Sequence, residues 1–217
     1  MTDDDSTSTE RRSFLTCATE VARLLGVEDA TEEPSHLRAR HLAHAVRKPL
    51  LERESMPEEW FGPLMAASVH DPDPSHCRWF VEPAVYAFGR RRVAAALVDY
   101  LRSGTDAERA GAVRAWYSAH VPLYPDRSPA YGPDGVRDPA LDETDDVHDA
   151  WYEASLQVFA EVTDPGMLQR VLYFLPTSRA DYPARLHHLL DSTLATARTH
   201  PDPHIRRWAG TTDRDTV

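Results

Sequence analysis

Residues 70–77, His-Asp-Pro-Asp-Pro-Ser-His-Cys, place His70, Asp71, Asp73, His76 and Cys77 in one short stretch. Imidazole, carboxylate and thiolate are zinc ligands, and a structural zinc site needs four of them in a tetrahedron. No second Cys/His pair at ligand spacing completes such a site, Asp73 is placed to cap a helix, and Cys77 falls in an apolar stripe, so no metal is expected. His187 and Asp191 stand one helical turn apart, the spacing of a carboxylate-oriented base. No nucleophile accompanies them, and no catalytic residue is assigned. The chain has no glycine-rich phosphate loop, no Gly-x-Ser-x-Gly and no His-Glu-x-x-His, so no cofactor is expected either.

The arginines carry a stronger signal. Residues 36–53 hold Arg38, Arg40, Arg47, Lys48 and Arg53 against Glu52 alone, and Arg90, Arg91 and Arg92 stand at the start of a later helix. Residues 126–164, by contrast, contain eleven acidic residues and two arginines. Helical spacing puts Arg40, His44 and Arg47 on one face. If that face met Arg90, Arg91 and Arg92, the result would be an anion site reinforced by a helix N-terminus; the competing reading is solvated charge paired with nearby acids.

Composition limits the partners. With 24 basic and 35 acidic residues the net charge is -11, which works against a general attraction to nucleic acid or anionic lipid. A chain of 217 residues with 41% hydrophobic residues can bury a substantial core. No stretch reaches the ~20 apolar residues of a membrane helix. Two cysteines in apolar patterns and an acidic, polar N-terminus predict a reducing cytoplasmic setting, with residues 1–10 as a disordered tail.

The elements that must position these residues are helices. Val147, Trp151, Ala154, Val158 and Val162 step by four, three, four and four; Val93, Leu97, Tyr100 and Leu101 form a second stripe, and Leu186, Leu190, Thr193 and Ala197 a third. The pattern predicts helices over 12–25, 35–53, 57–69, 74–88, 90–103, 106–120, 146–162, 165–175, 180–199 and 203–210, in one domain over 11–217. Gly104 is expected to end one helix in the left-handed conformation, and Thr105 with Glu108 has capping-box spacing for the next. Asp164-Pro165 opens another by the same chemistry as Asp73-Pro74 and Asp202-Pro203: a carboxylate accepts from free amides, and proline takes the first position, where no hydrogen bond is lost. Pro83 should bend the helix that contains it. The proline-rich segment 121–145 has no helical period and reads as a long irregular loop.

Two phrases recur. Pro-Asp-Pro, three residues and Arg-Trp appear at 72–79 and again at 201–208, and Ala-Trp-Tyr at 115–117 returns at 150–152. Trp79, Trp116, Trp151 and Trp208 read as core residues of a degenerate repeat. In its Asp-Pro helix starts, its internal proline and the runs Asp106…Val113-Arg114 and Asp202…Ile205-Arg206, the chain resembles a HEAT-repeat protein over 70–120 and 145–210, more weakly over 35–69. The resemblance implies an all-α fold of stacked antiparallel helical hairpins, an α-solenoid. Members of that family are mostly binding scaffolds, and a minority resemble DNA-repair glycosylases that read DNA on a basic concave face.

The expected function is a non-catalytic interaction scaffold for another protein, with Tyr124 and Tyr131 of the long loop helping to grip the partner. The alternative is an enzyme or nucleic-acid or anion binder using Arg40, His44, Arg47, Arg90, Arg91 and Arg92. The charge balance leaves room for a small anionic ligand, makes nucleic acid the less expected partner, and gives no reason to expect a membrane.

Overall fold

The computed structural model describes residues 3–28, 34–53, 55–124 and 137–212. Tyr131 and residues 125–136 of the 121–145 loop lie outside the described residues, as do Met1 and Thr2. Among the described residues the chain is helical and contains no strand. The helices are α1 (Asp3–Leu24), α2 (Ser35–Leu51), α3 (Phe61–His70), α4 (Arg78–Phe88), α5 (Arg90–Ser103), α6 (Asp106–Ala119), α7 (Asp145–Glu161), α8 (Pro165–Tyr173), α9 (His187–Thr199) and α10 (Pro203–Thr212). No helix among the described residues is long and apolar enough to cross a membrane.

Most boundaries follow the local chemistry. α6 opens on a complete capping box, with the Thr105 hydroxyl accepting from the Glu108 amide and the Glu108 carboxylate accepting from the Thr105 amide. The Asp164 carboxylate accepts from the Met167 amide at 2.7 Å, with Pro165 first in α8. Gly89 alone separates α4 from α5 at φ +91, a conformation that side-chain-bearing residues avoid.

Four boundaries differ from the sequence reading. α1 begins at Asp3, taking in residues 3–10 that read as a tail. Gly104 is extended, with φ -73, rather than left-handed. Residues 74–77 form a turn, and α4 proper starts at Arg78. α9 starts at His187 rather than near 180, because Pro183 forces the preceding Tyr182 into extended backbone with ψ 137 and breaks the segment into two short 3-10 turns, Arg179–Asp181 and Ala184–Leu186. Pro83 lies within an otherwise continuous α4, and Pro49 within α2.

The described residues fall into two compact units. In the first, made by the residues up to Tyr100 together with Gly104–Thr144, α1 packs on α2 and α3, α2 on α4, α3 on α4 and α6, and α4 on α6. Its core includes Phe14, Val21, Leu42, Val46, Leu64, Phe80 and Trp116, with Phe14 meeting Phe80 edge to face at 6.1 Å. In the second, made by Leu101–Ser103 and the residues from Asp145, α7 packs on α8 and α9, and α10 on α8 and α9. Leu156, Phe159, Leu168, Leu172, Leu190 and Ile205 lie at its centre. The stripes read from sequence face inward: Val93, Leu97 and Leu101, then Val147, Trp151, Ala154 and Val158, then Leu186, Leu190, Thr193 and Ala197 are all buried, while Tyr100 and Val162 are partly buried.

Candidate functional site

α2 buries Ala39, Leu42, Ala43, Val46 and Leu50, which turns the face carrying Arg40, His44 and Arg47 outward. That face meets Trp79 at the start of α4. The Arg40 and Arg47 guanidinium carbons lie 5.7 and 5.5 Å from the centre of the Trp79 ring, the His44 ring stands edge-on to it at 5.8 Å, and the His76 ring lies against it at 4.4 Å. Cations within about 6 Å of an indole are attracted by its negative face. Trp79 is thus the point on which two guanidinium groups and two imidazoles converge.

Arg40 is also the anchor of this corner. Its two terminal nitrogens donate to the two carboxylate oxygens of Asp71 at 3.0 and 2.8 Å, and Asp71 is fully buried. The Asp73 amide donates to the same Asp71 carboxylate at 2.9 Å. Asp73 in turn accepts from the Ser75 amide at 2.8 Å and pairs with His76 at 2.9 Å. Partial burial opposes the Asp73 charge, but the Ser75 amide and the neighbouring His76 and Arg40 outweigh it and hold its carboxyl below the usual range. Beside this network Phe14, His36, Ala39, Arg40, Pro72, Asp73 and Pro74 enclose a cleft of about 370 Å3.

The three consecutive arginines take other partners. Arg90 donates to the carbonyls of Ala119 and Val121 at 2.6 and 2.9 Å, where α6 ends. Arg91 reaches the Glu143 carbonyl at 3.5 Å. Arg92 forms a two-bond ion pair with Glu58 and lies 4.0 Å from the Phe61 ring centre. Tyr124 is half exposed, and its amide and carbonyl are both tied to the Tyr86 hydroxyl.

The residues of the 70–77 motif have separate duties. Asp71 holds Arg40, His70 lies 3.8 Å from Glu108, and Cys77 is buried with its thiol pushed up to about 11 by desolvation. No group of three potential metal ligands stands together among the described residues. In the second unit Asp191 is held by Arg179, and His187 bonds the Tyr182 carbonyl at 3.1 Å, so the pair spaced like an oriented base is divided between other partners.

Three contributors escape the sequence reading. Trp79 counts there as core, yet it is only partly buried, as is Trp208. Asp71 counts as a possible ligand, yet it is the buried partner of Arg40. Arg137, in the irregular segment, donates to the Val85 and Tyr86 carbonyls at the end of α4 and pairs with Asp142, whose carboxylate also accepts from the Arg90 amide. The duplicated phrase held a usable signal for Asp71. In the second copy His200 occupies the equivalent place, and its Nδ1 accepts from the Asp202 amide at 3.0 Å as Asp71 accepts from that of Asp73. No family model matches the chain, and no curated protein or solved structure matches it significantly.

Proposed function

We propose that the chain is a non-catalytic protein-interaction scaffold of HEAT-like build, and that a partner protein docks on the outward face of α2 around Trp79. One observation carries this reading: Arg40, His44 and Arg47 of α2, together with His76, converge on one partly exposed tryptophan. Aromatic and arginine side chains gathered at a surface are the residue types that dominate binding energies at protein interfaces. The HEAT-like build is supported by the layered pairing within each unit: α1 and α2 lie on α3 and α4 in one, and α7 and α8 on α9 and α10 in the other.

The test is affinity capture of the full chain from its native cell, run in parallel with an Arg47→Glu variant. Arg47 is exposed, so the substitution leaves the core untouched. A protein that co-elutes stoichiometrically with the parent and is lost from the variant supports the reading. Recovery of nucleic acid instead, or a partner retained equally by both forms, overturns docking at Trp79.

A further inference from the structure

We infer that the Trp79 face takes an extended acidic segment, with two carboxylates no more than about three residues apart. This rests on the interaction-scaffold reading and names the chemistry of the partner.

The chain is acidic overall at -11, yet residues 36–53 carry five basic residues against Glu52 alone. Lys48 reaches that glutamate at 3.6 Å, whereas Arg47, exposed and stacked near Trp79, makes no ion pair among the described residues. Arg40 is bound to Asp71, but a guanidinium has five N–H donors and Asp71 takes two. Arg40 also lines the neighbouring cleft, with its guanidinium carbon 5.2 Å from the Phe14 ring centre. The one carboxylate on the cleft rim, Asp73, is engaged by His76 and the Ser75 amide.

Geometry bounds the spacing. The Arg40 and Arg47 guanidinium carbons lie 5.7 and 5.5 Å from one Trp79 ring centre, so they stand no more than about 11 Å apart. An extended chain covers that distance in about three residues. A long polyanion would gain the same contacts but would also run over a surface with more acidic than basic groups. A short acidic segment confines its charge to the α2 strip.

The experiment uses the full chain and fluorescence anisotropy with three probes: a fluorescein-labelled octaglutamate peptide, a labelled octathymidylate strand, and unlabelled inorganic phosphate as competitor. Two charge reversals are compared, Arg47→Glu and Arg170→Glu, the latter on the exposed face of α8 and making no ion pair among the described residues. Both change net charge equally, so only a local site separates them. The expected result is octaglutamate binding weakened about tenfold or more by Arg47→Glu and less than about twofold by Arg170→Glu. Absence of octaglutamate binding, equal loss in both variants, tighter binding of octathymidylate, or full displacement by phosphate at comparable concentration would each overturn it. If octaglutamate fails while a captured partner still depends on Arg47, this inference falls and the scaffold reading stands. If octaglutamate binds as expected but no partner is captured, the acidic-ligand site stands and the scaffold reading falls.

Discussion

Arg40 and Asp71, 31 residues apart in sequence, close a two-bond ion pair whose carboxylate is fully buried while the arginine side chain keeps 26% of its exposure. The asymmetry decides what each substitution does. Removing the arginine strands a buried carboxylate; altering the aspartate leaves an arginine that still reaches water. Arg40→Ala is therefore expected to cost about 3–5 kcal/mol, the range for breaking a buried pair. Asp71→Asn keeps an acceptor for the Asp73 amide and should cost about 1–2 kcal/mol. Urea unfolding of both variants measures this, and a larger loss in Asp71→Asn would refute the burial argument.

The two Ala-Trp-Tyr phrases make a sharper contrast. Trp116 and Trp151 are 4% and 0% exposed, whereas Tyr117 directly after the first is 67% exposed. Truncation of either tryptophan to alanine should cost ~3–5 kcal/mol, and Tyr117→Ala should stay within about 0.5 kcal/mol. Equal costs at Trp116 and Tyr117 would mean that α6 presents a different face to the core.

The helices were legible because their signals are local. The stripe through Val147, Trp151, Ala154 and Val158, the capping box at Thr105, and Asp164-Pro165 each lie within a few residues of the structure they specify. The face shared by Arg40, His44 and Arg47 was legible for the same reason. What covers that face was not: Trp79 reaches it only because α2 packs on α4, a long-range pairing that leaves no periodic trace. The surroundings of Arg90 were illegible for a related reason. Its guanidinium donates to the Ala119 and Val121 carbonyls at the end of α6, and backbone carbonyls carry no sequence signature.

Gly111 marks where α6 and α3 come close. A methyl group built at Gly111 would lie 1.9 Å from the Val69 carbonyl oxygen, a backbone atom that cannot swing aside. Gly111→Ala would normally favour a helix interior by about 1 kcal/mol. Here the helices must separate instead, and a net loss of about 1–3 kcal/mol or more is expected. A stabilised Gly111→Ala protein in thermal unfolding would show that α3 and α6 do not approach this closely.

The capping box makes stability depend on pH through Glu108. The Thr105 amide and then the Thr105 hydroxyl hold its carboxyl below the ordinary range, with His70 assisting and partial burial opposing. A carboxyl lowered in the folded state favours folding fully above its unfolded value, about 4.3, and loses that contribution as pH falls through the lowered folded value. Glu108→Gln keeps the hydrogen-bonding shape but cannot titrate. The parent should therefore be the more stable of the two at neutral pH, and the gap should shrink as pH falls from about 5 towards 3. Thr105→Ala, which removes the hydroxyl at both pH values, should cost about 1 kcal/mol. Urea midpoints for the parent and Glu108→Gln across that range check the sign: a gap that stays constant, or widens on acidification, would mean that the Glu108 charge does not stabilise the start of α6.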